Sequence, residues 1–168
     1  MARKQLRKAV TTISVLLAGT GAALTATTAV TATAAQAAGV STATLQSQLV
    51  TYTNNTRVRA GCRPMRVDSR LLLAARGHSA YQASTNRMSH IGSHGSTFVT
   101  RAHTAGYAWP MSENVAYGYR TASETMKAWM ASPGHRANIL DCRAKAFAVG
   151  VYYAKNGTPY YSQEFGWR

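Results

Sequence analysis

Two runs rich in Val, Tyr and Phe, Phe147 to Tyr153 and Tyr160 to Phe165, flank Lys155-Asn156-Gly157 near the end of the chain. Asn-Gly between such runs signals a hairpin, because both residues tolerate the positive φ that a tight turn demands. The tail is therefore read as an antiparallel hairpin. Most of what precedes it carries helical patterning. From Thr44 to Arg59 the residues Leu45, Leu49, Tyr52 and Val58 make a partial helical stripe, which Gly61 and Pro64 end. Met65 to Asp68 reads as an extended link. Asp68 is placed to cap a second helix that carries Leu71, Leu72, Ala75 and His78 or Ser79 on one side and runs to about Asn86. Ser96 is the expected cap of a short helix that reaches Ala105 and stops at Gly106.

Glu113 to Tyr119, with Val115, Tyr117 and Tyr119 alternating, reads as a strand. Thr121-Ala122-Ser123-Glu124 has the spacing of a capping box and predicts a helix over Ala122–Ala131, with Met126, Trp129 and Met130 on one face. Pro133-Gly134 then breaks the chain and leaves His135 in a turn, before one more helical turn from Ala137 to Leu140. Helices first, strands mostly late and no βαβ alternation place the chain in the α+β class.

Arg3, Lys4, Arg7 and Lys8 precede an apolar run from Ile13 to Ala18 in an Ala- and Thr-rich stretch that ends at Ala35-Gln36-Ala37. That is the charged, apolar and small-residue order of a secretory signal, with cleavage expected after Ala37. The strongly apolar part is shorter than the ~20 residues a spanning helix needs, so no transmembrane segment is expected in the mature chain. Of 168 residues, removal of 1–37 leaves 131, a single domain over 38–168. It takes four of the 19 Lys and Arg and none of the five acids, leaving 15 against five and a net charge of +10.

Such a charge draws the protein towards anionic surfaces such as cell-wall polymers, while export argues against nucleic acid. Six arginines between Arg57 and Arg76 read as a solvated basic face. The only two cysteines, Cys62 and Cys142, are most simply one disulfide in an oxidising compartment.

Three segments bring a His or Glu out of turn-rich sequence: MSHIGSHGS at Met88 to Ser96, SENVAYGY at Ser112 to Tyr119, and SPGHRANIL at Ser132 to Leu140. From residue type alone, His90, Glu113 and His135 suggest a metal or acid/base site, since neutral imidazole suits Zn²⁺. Their spacing matches no local metal motif. There is also no nucleophile elbow and no glycine-rich phosphate loop, so an enzyme here would have to be metal-assisted.

Taken in order, the three segments resemble the bacterial secreted branch of the CAP superfamily (cysteine-rich secretory proteins, antigen 5, pathogenesis-related 1), with its SCP-like extracellular domain. SPGHRANIL is the most specific part, and the resemblance runs from about Leu45 to Trp167. It implies a three-layer α-β-α sandwich around a central antiparallel sheet. It also implies a cleft of two His and two Glu, in which the His pair can hold a divalent metal, often Zn²⁺. The first His corresponds to His90, the first Glu to Glu113 of Glu113-Asn114, and the second His to His135. The second Glu of eukaryotic members stands three residues beyond the helix Trp, and Ser132 occupies that place here.

Other residues are open to two readings. His94 either adds a ligand or decorates the loop, and Tyr117 either lines the cleft or packs as a sheet aromatic. His78 reads as a hydrogen-bonded packing residue, and His103 as helix surface. Arg136 either raises the potential beside His135 or pairs with Asp141. Trp109, Met111 and Tyr117 supply apolar material near the site. The resemblance implies an extracellular binding module for a small amphipathic or lipidic ligand. The alternatives are a metal-dependent hydrolase with Glu113 as general base, and a cationic protein that adheres to anionic wall polymers.

Overall fold

The computed structural model describes residues 39 to 168. The expected secretory signal, residues 1–37, lies outside the described residues. Five helices and four strands follow one another as α1 Thr42–Arg59, β1 Arg66–Val67, α2 Ser69–Thr85, α3 Phe98–Thr104, β2 Pro110–Tyr117, α4 Ala122–Ala131, α5 Pro133–Leu140, β3 Ala146–Tyr153 and β4 Pro159–Gly166. The strands form one sheet in the order β1-β3-β4-β2.

The hairpin of β3 and β4 and the pairing of β2 with β4 are antiparallel, as expected. The two-residue β1 departs from that pattern by pairing parallel to β3, so the sheet is mixed. The segment read as an extended link thus becomes a short edge strand, anchored where Arg66 N–H reaches the Lys145 carbonyl.

Strand alternation divides the interior in two. Phe147, Val149, Val151, Tyr161, Phe165 and Ala116 pack with Leu45 and Leu49 of α1, Trp129 and Met126 of α4 and Ile139 of α5. On the other face Ala146 and Ala148 meet Leu71 of α2, Ala102 of α3 and Tyr107. Small residues dominate this second face, and they let α2 approach closely. A Cβ on Gly150 would run into the Ala75 backbone, and one on Gly166 into the Tyr107 ring. This is the three-layer sandwich that the resemblance implied, with the sheet mixed rather than wholly antiparallel.

Local signals fare unevenly. Asp68 caps α2 by accepting the Arg70 N–H, and Thr121 with Glu124 closes a capping box on α4. The cap of α3 is Thr97, not Ser96, because Thr97 and Thr100 satisfy each other's backbone N–H groups. Pro133 opens α5 as its first residue instead of merely ending α4, so His135 sits in the first turn of a helix. Proline suits that position, where its missing N–H would have no helical partner anyway.

The stripe read on α1 also needs correction. Tyr52 and Val58 are exposed, and the buried face steps by four through Leu45, Leu49, Thr53 and Arg57. Arg57 therefore does not belong to the solvated basic face. Its guanidinium is buried and donates to the carbonyls of Arg63, Ile139, Asp141 and Ala144, although burial pulls its pKa below the ordinary arginine value. Beside it Cys62 and Cys142 form the expected disulfide, with Cα atoms 4.9 Å apart. Asp141 pairs with Arg143 and not with Arg136.

The bridge spans 80 residues of sequence, so replacing both cysteines by serine should cost roughly 4 kcal/mol of stability. Urea unfolding of the double variant, with far-UV circular dichroism as readout, should show a correspondingly lower midpoint.

Candidate functional site

Glu113 and Glu164 are cross-strand neighbours on β2 and β4 and share the α2 face of the sheet. Both are buried. Two carboxylates side by side in an interior repel one another, and the fold surrounds them with basic side chains from three directions. Arg101 of α3 donates to Glu113 Oε1 at 2.5 Å and lies 3.6 Å from Glu164. His90 Nδ1 is 2.8 Å from the other Glu113 oxygen, Oε2, and His78 Nε2 is 3.7 Å from Oε1.

The same guanidinium orders the loop that carries His90. Its Nη1 donates to the carbonyls of His90, at 3.2 Å, and Ser96, at 2.8 Å. His78 holds the start of that loop through a 2.7 Å hydrogen bond between its Nε2 and the Ser89 carbonyl. It is the packing residue the sequence suggested.

The second histidine is positioned from the opposite face. Asn114 Nδ2 donates to the His135 carbonyl and to Gln163 Oε1, and Gln163 Nε2 donates in turn to Thr53 Oγ1. Asn138, one helical turn beyond His135, donates to Asn114 Oδ1 at 2.8 Å and to the Glu113 carbonyl. A chain of side-chain amides thus ties α1, β4, β2 and α5 together.

Between these supports lies a cleft along the outer edge of β2, the strand at the end of the sheet. One depression, of about 410 Å³, is lined by His90, Ile91, Phe98, Met111, Glu113 and Asn138. Its neighbour along the strand, of about 240 Å³, is lined by Met88, Tyr117, Tyr119, Trp129, Ser132 and His135. Tyr117 borders the second depression and also stacks on Tyr160. Ser132 faces the second depression and makes no capping hydrogen bond to α5. His94 is exposed in a short 3-10 turn, with φ of 53°. Trp109 lies outside both depressions.

Titration follows from the environment of each group. The hydrogen bond to Glu113 raises His90, whereas burial and then the nearby His90 lower His135. Burial also lowers His78. Glu164 is pushed well above its ordinary value, first by burial and then by the charge of Glu113. Its oxygens make no hydrogen bond among the described residues.

Zinc fits this donor set only in part. No group of three or more His, Cys, Asp or Glu side chains among the described residues is arranged to hold a metal. His90 and His135 offer two imidazoles, one short of the three protein ligands of a catalytic zinc. Glu113 stands behind His90 as an orienting carboxylate, the place such a group takes in carboxylate–histidine–metal arrangements. Both of its oxygens are already engaged, which leaves it poorly placed to take a proton from bound water.

Sequence reasoning missed Arg101, Glu164, Gln163 and Asn138. A signal existed for two of them. Gln163 and Glu164 are adjacent long polar residues, after Ser162, in a central strand flanked by Tyr160, Tyr161 and Phe165, so alternation must bury one on each face.

A sheet clamped between two helical layers, with an edge-strand cleft flanked by a Glu-backed His and a second His, defines the SCP-like class. The sequence matches the CAP, or cysteine-rich secretory protein, family over residues 50–165, and the chain belongs to that family. The Bacillus subtilis (strain 168) protein YkwD is 32% identical over 128 residues, covering 75% of this chain and 49% of that protein. The chain thus spans about half of that relative. Among solved structures, an extracellular SCP-domain protein from Bacillus anthracis str. Ames superposes with a TM-score of 0.68 at 26% identity, covering 74% of this chain and 40% of that one. An outer surface protein from Borrelia burgdorferi shares the fold, with a TM-score of 0.66 at 17% identity, covering 71% of this chain and 90% of that one. No helix among the described residues is long and apolar enough to cross a membrane.

The raised Glu164 has a measurable consequence. The folded chain holds this proton above the ordinary value of 4.5, so the unfolded chain releases it first as pH rises. The group's contribution to stability is therefore greatest below that value and declines as pH climbs towards the folded pKa. Glu164→Gln keeps the shape and removes the ionisation. Its melting temperature should exceed that of the parent by about 3 °C near pH 6, with the gap closing near pH 4. An unchanged gap would contradict a raised Glu164 pKa.

Proposed function

We propose that the protein is an extracellular binding module whose cleft receives a small amphipathic, lipid-like ligand, with a divalent cation, Zn²⁺ foremost, held by His90 and His135. The observation that carries this reading is the distribution of exposed apolar side chains. Met88, Ile91, Tyr117 and Tyr119 are left exposed, and all four border the two depressions. Exposed apolar groups gathered around a few convergent polar ones are what a binding site for an amphipathic molecule requires.

Two further features support it. The His90 ring is oriented by Glu113 through Nδ1, which leaves Nε2 for a metal or a ligand headgroup. The lowered pKa of His135 keeps that ring neutral, the form that ligates metal. Export is supported by the leader-like residues 1–37 and by the disulfide. The Bacillus anthracis relative is described as extracellular. The hydrolase alternative has less support, because the Glu113 oxygens are held by Arg101 and His90.

Titration calorimetry with ZnCl₂ and fluorescence titration with a labelled long-chain fatty acid test the reading directly. Zinc affinity should fall at least tenfold, about 1.4 kcal/mol, in both His90→Ala and His135→Ala. Fatty-acid affinity should fall by a similar factor in Met88→Asp/Tyr117→Asp. Failure of the parent protein to bind either probe would overturn the proposal.

A further inference from the structure

The two exposed tryptophans lie away from the cleft, at one end of the sheet. Arg66, Ala146, Gly166 and Pro110 are in register across all four strands. Immediately beyond this row stand Lys145, Trp167 and Trp109. Three inter-strand gaps make the row about 14 Å wide. The Trp167 N–H donates to the Trp109 carbonyl at 3.0 Å, which locks the two tryptophans side by side.

Trp109 is 42% exposed and Trp167 37%. Neither belongs to a hydrophobic cluster. Each carries a guanidinium on its ring instead, Arg168 at 4.6 Å from the Trp109 centroid and Arg143 at 5.1 Å from that of Trp167. Arg70 repeats the arrangement over Tyr107, 5.1 Å from the ring centroid.

Stacking fixes the plane of a guanidinium without using its edge donors; Arg168 keeps that whole edge for an oxyanion, whereas Arg143 already gives Nε and Nη2 to Asp141 and keeps Nη1. Stacking also reduces the side-chain entropy lost when an anion binds. The charges are uneven here. Arg66, Arg70, Arg143, Lys145 and Arg168 face two carboxylates, Asp68, which pairs with Arg66 and Arg70, and Asp141, which pairs with Arg143. Lys145 and Arg168 form no ion pair among the described residues. The surface is therefore a flat basic strip with aromatic ledges. Neither tryptophan borders the two cleft depressions that offer a hollow to a lipid chain.

We propose that this end of the sheet, with Trp109, Trp167, Arg143, Lys145 and Arg168, is a second binding surface, and that it takes an acidic polysaccharide. Carboxylates spaced along a sugar chain meet the guanidinium edges, and the apolar faces of the sugar rings lie against the exposed parts of the indoles. The surface is separate from the cleft and stands or falls independently of the cleft reading.

The purified protein is titrated with alginate, a polyuronate, beside dextran as the neutral glycan, linear polyphosphate as an anion without sugar, and phosphatidylglycerol vesicles as an anionic membrane. Alginate should bind and dextran should not, and polyphosphate should bind more weakly than alginate at equal charge. Alginate affinity should fall at least tenfold in Trp109→Ala/Trp167→Ala and in Arg143→Gln/Arg168→Gln. Arg59→Gln/Lys127→Gln removes the same charge elsewhere and should change it less than threefold. Circular dichroism checks the fold, and the arginine pair decides the matter should the tryptophan pair misfold. The proposal is overturned by equal losses in the control pair, by stronger binding to polyphosphate than to alginate, or by binding to vesicles without binding to alginate.

Discussion

The architecture of the cleft depends on one buried guanidinium. Arg101 reaches from α3 to Glu113 on β2 and approaches Glu164 on β4, and it also ties down the loop that carries His90. Two adjacent buried carboxylates would otherwise push the strands apart or both take up protons. With Arg101 between them, one stays engaged as the backing group for His90 while burial, and then the charge of Glu113, push the other's pKa well above the usual carboxylate range. The interior polarity is thus spent on aiming a single imidazole at the cleft.

The other side of the sheet reaches the same end by neutral chemistry. Thr53, Gln163, Asn114 and Asn138 pass hydrogen bonds from α1 to α5, and the chain ends at the His135 backbone. Arg57 and the disulfide fasten the far end of α1 to the segment that follows α5. Polar groups this deeply buried must be satisfied, and satisfying them fixes the relative placement of helices that apolar contacts alone would allow to slide. The two histidines are therefore held by independent networks, one ionic and one of amides, that meet at Glu113 and Asn114 on β2.

Much of the fold could be read from local sequence. The Asn-Gly hairpin, the Asp68 cap and the Thr121–Glu124 capping box each satisfy their own backbone groups within a few residues, so neighbours along the chain suffice to specify them. The errors arise where the deciding partner is distant. Arg57 looked like a surface charge because its four carbonyl acceptors come from residues 63, 139, 141 and 144. Tyr52 and Val58 looked like core because apolarity is visible in sequence, whereas the hydrogen bonds that make Thr53 and Arg57 good interior residues are not. Trp109 looked like cleft material because it lies four residues from Glu113, yet strand direction carries it to the end of the sheet.

By itself the sequence determined the α+β class, the segments that hold His90, Glu113 and His135, the cysteine pairing and the strong positive charge. Each of these is a property of composition, local periodicity or a short motif. Only the tertiary structure decided that Glu164 lies beside Glu113, that Arg101 serves both carboxylates and the His90 loop, and that two tryptophans flanking different strands form one basic, aromatic strip. Those groups lie between 11 and 63 residues apart along the chain. Burial and charge act through space, so which carboxylate is backed by a cation, and which cation stacks on a ring, is settled by strand register and helix packing.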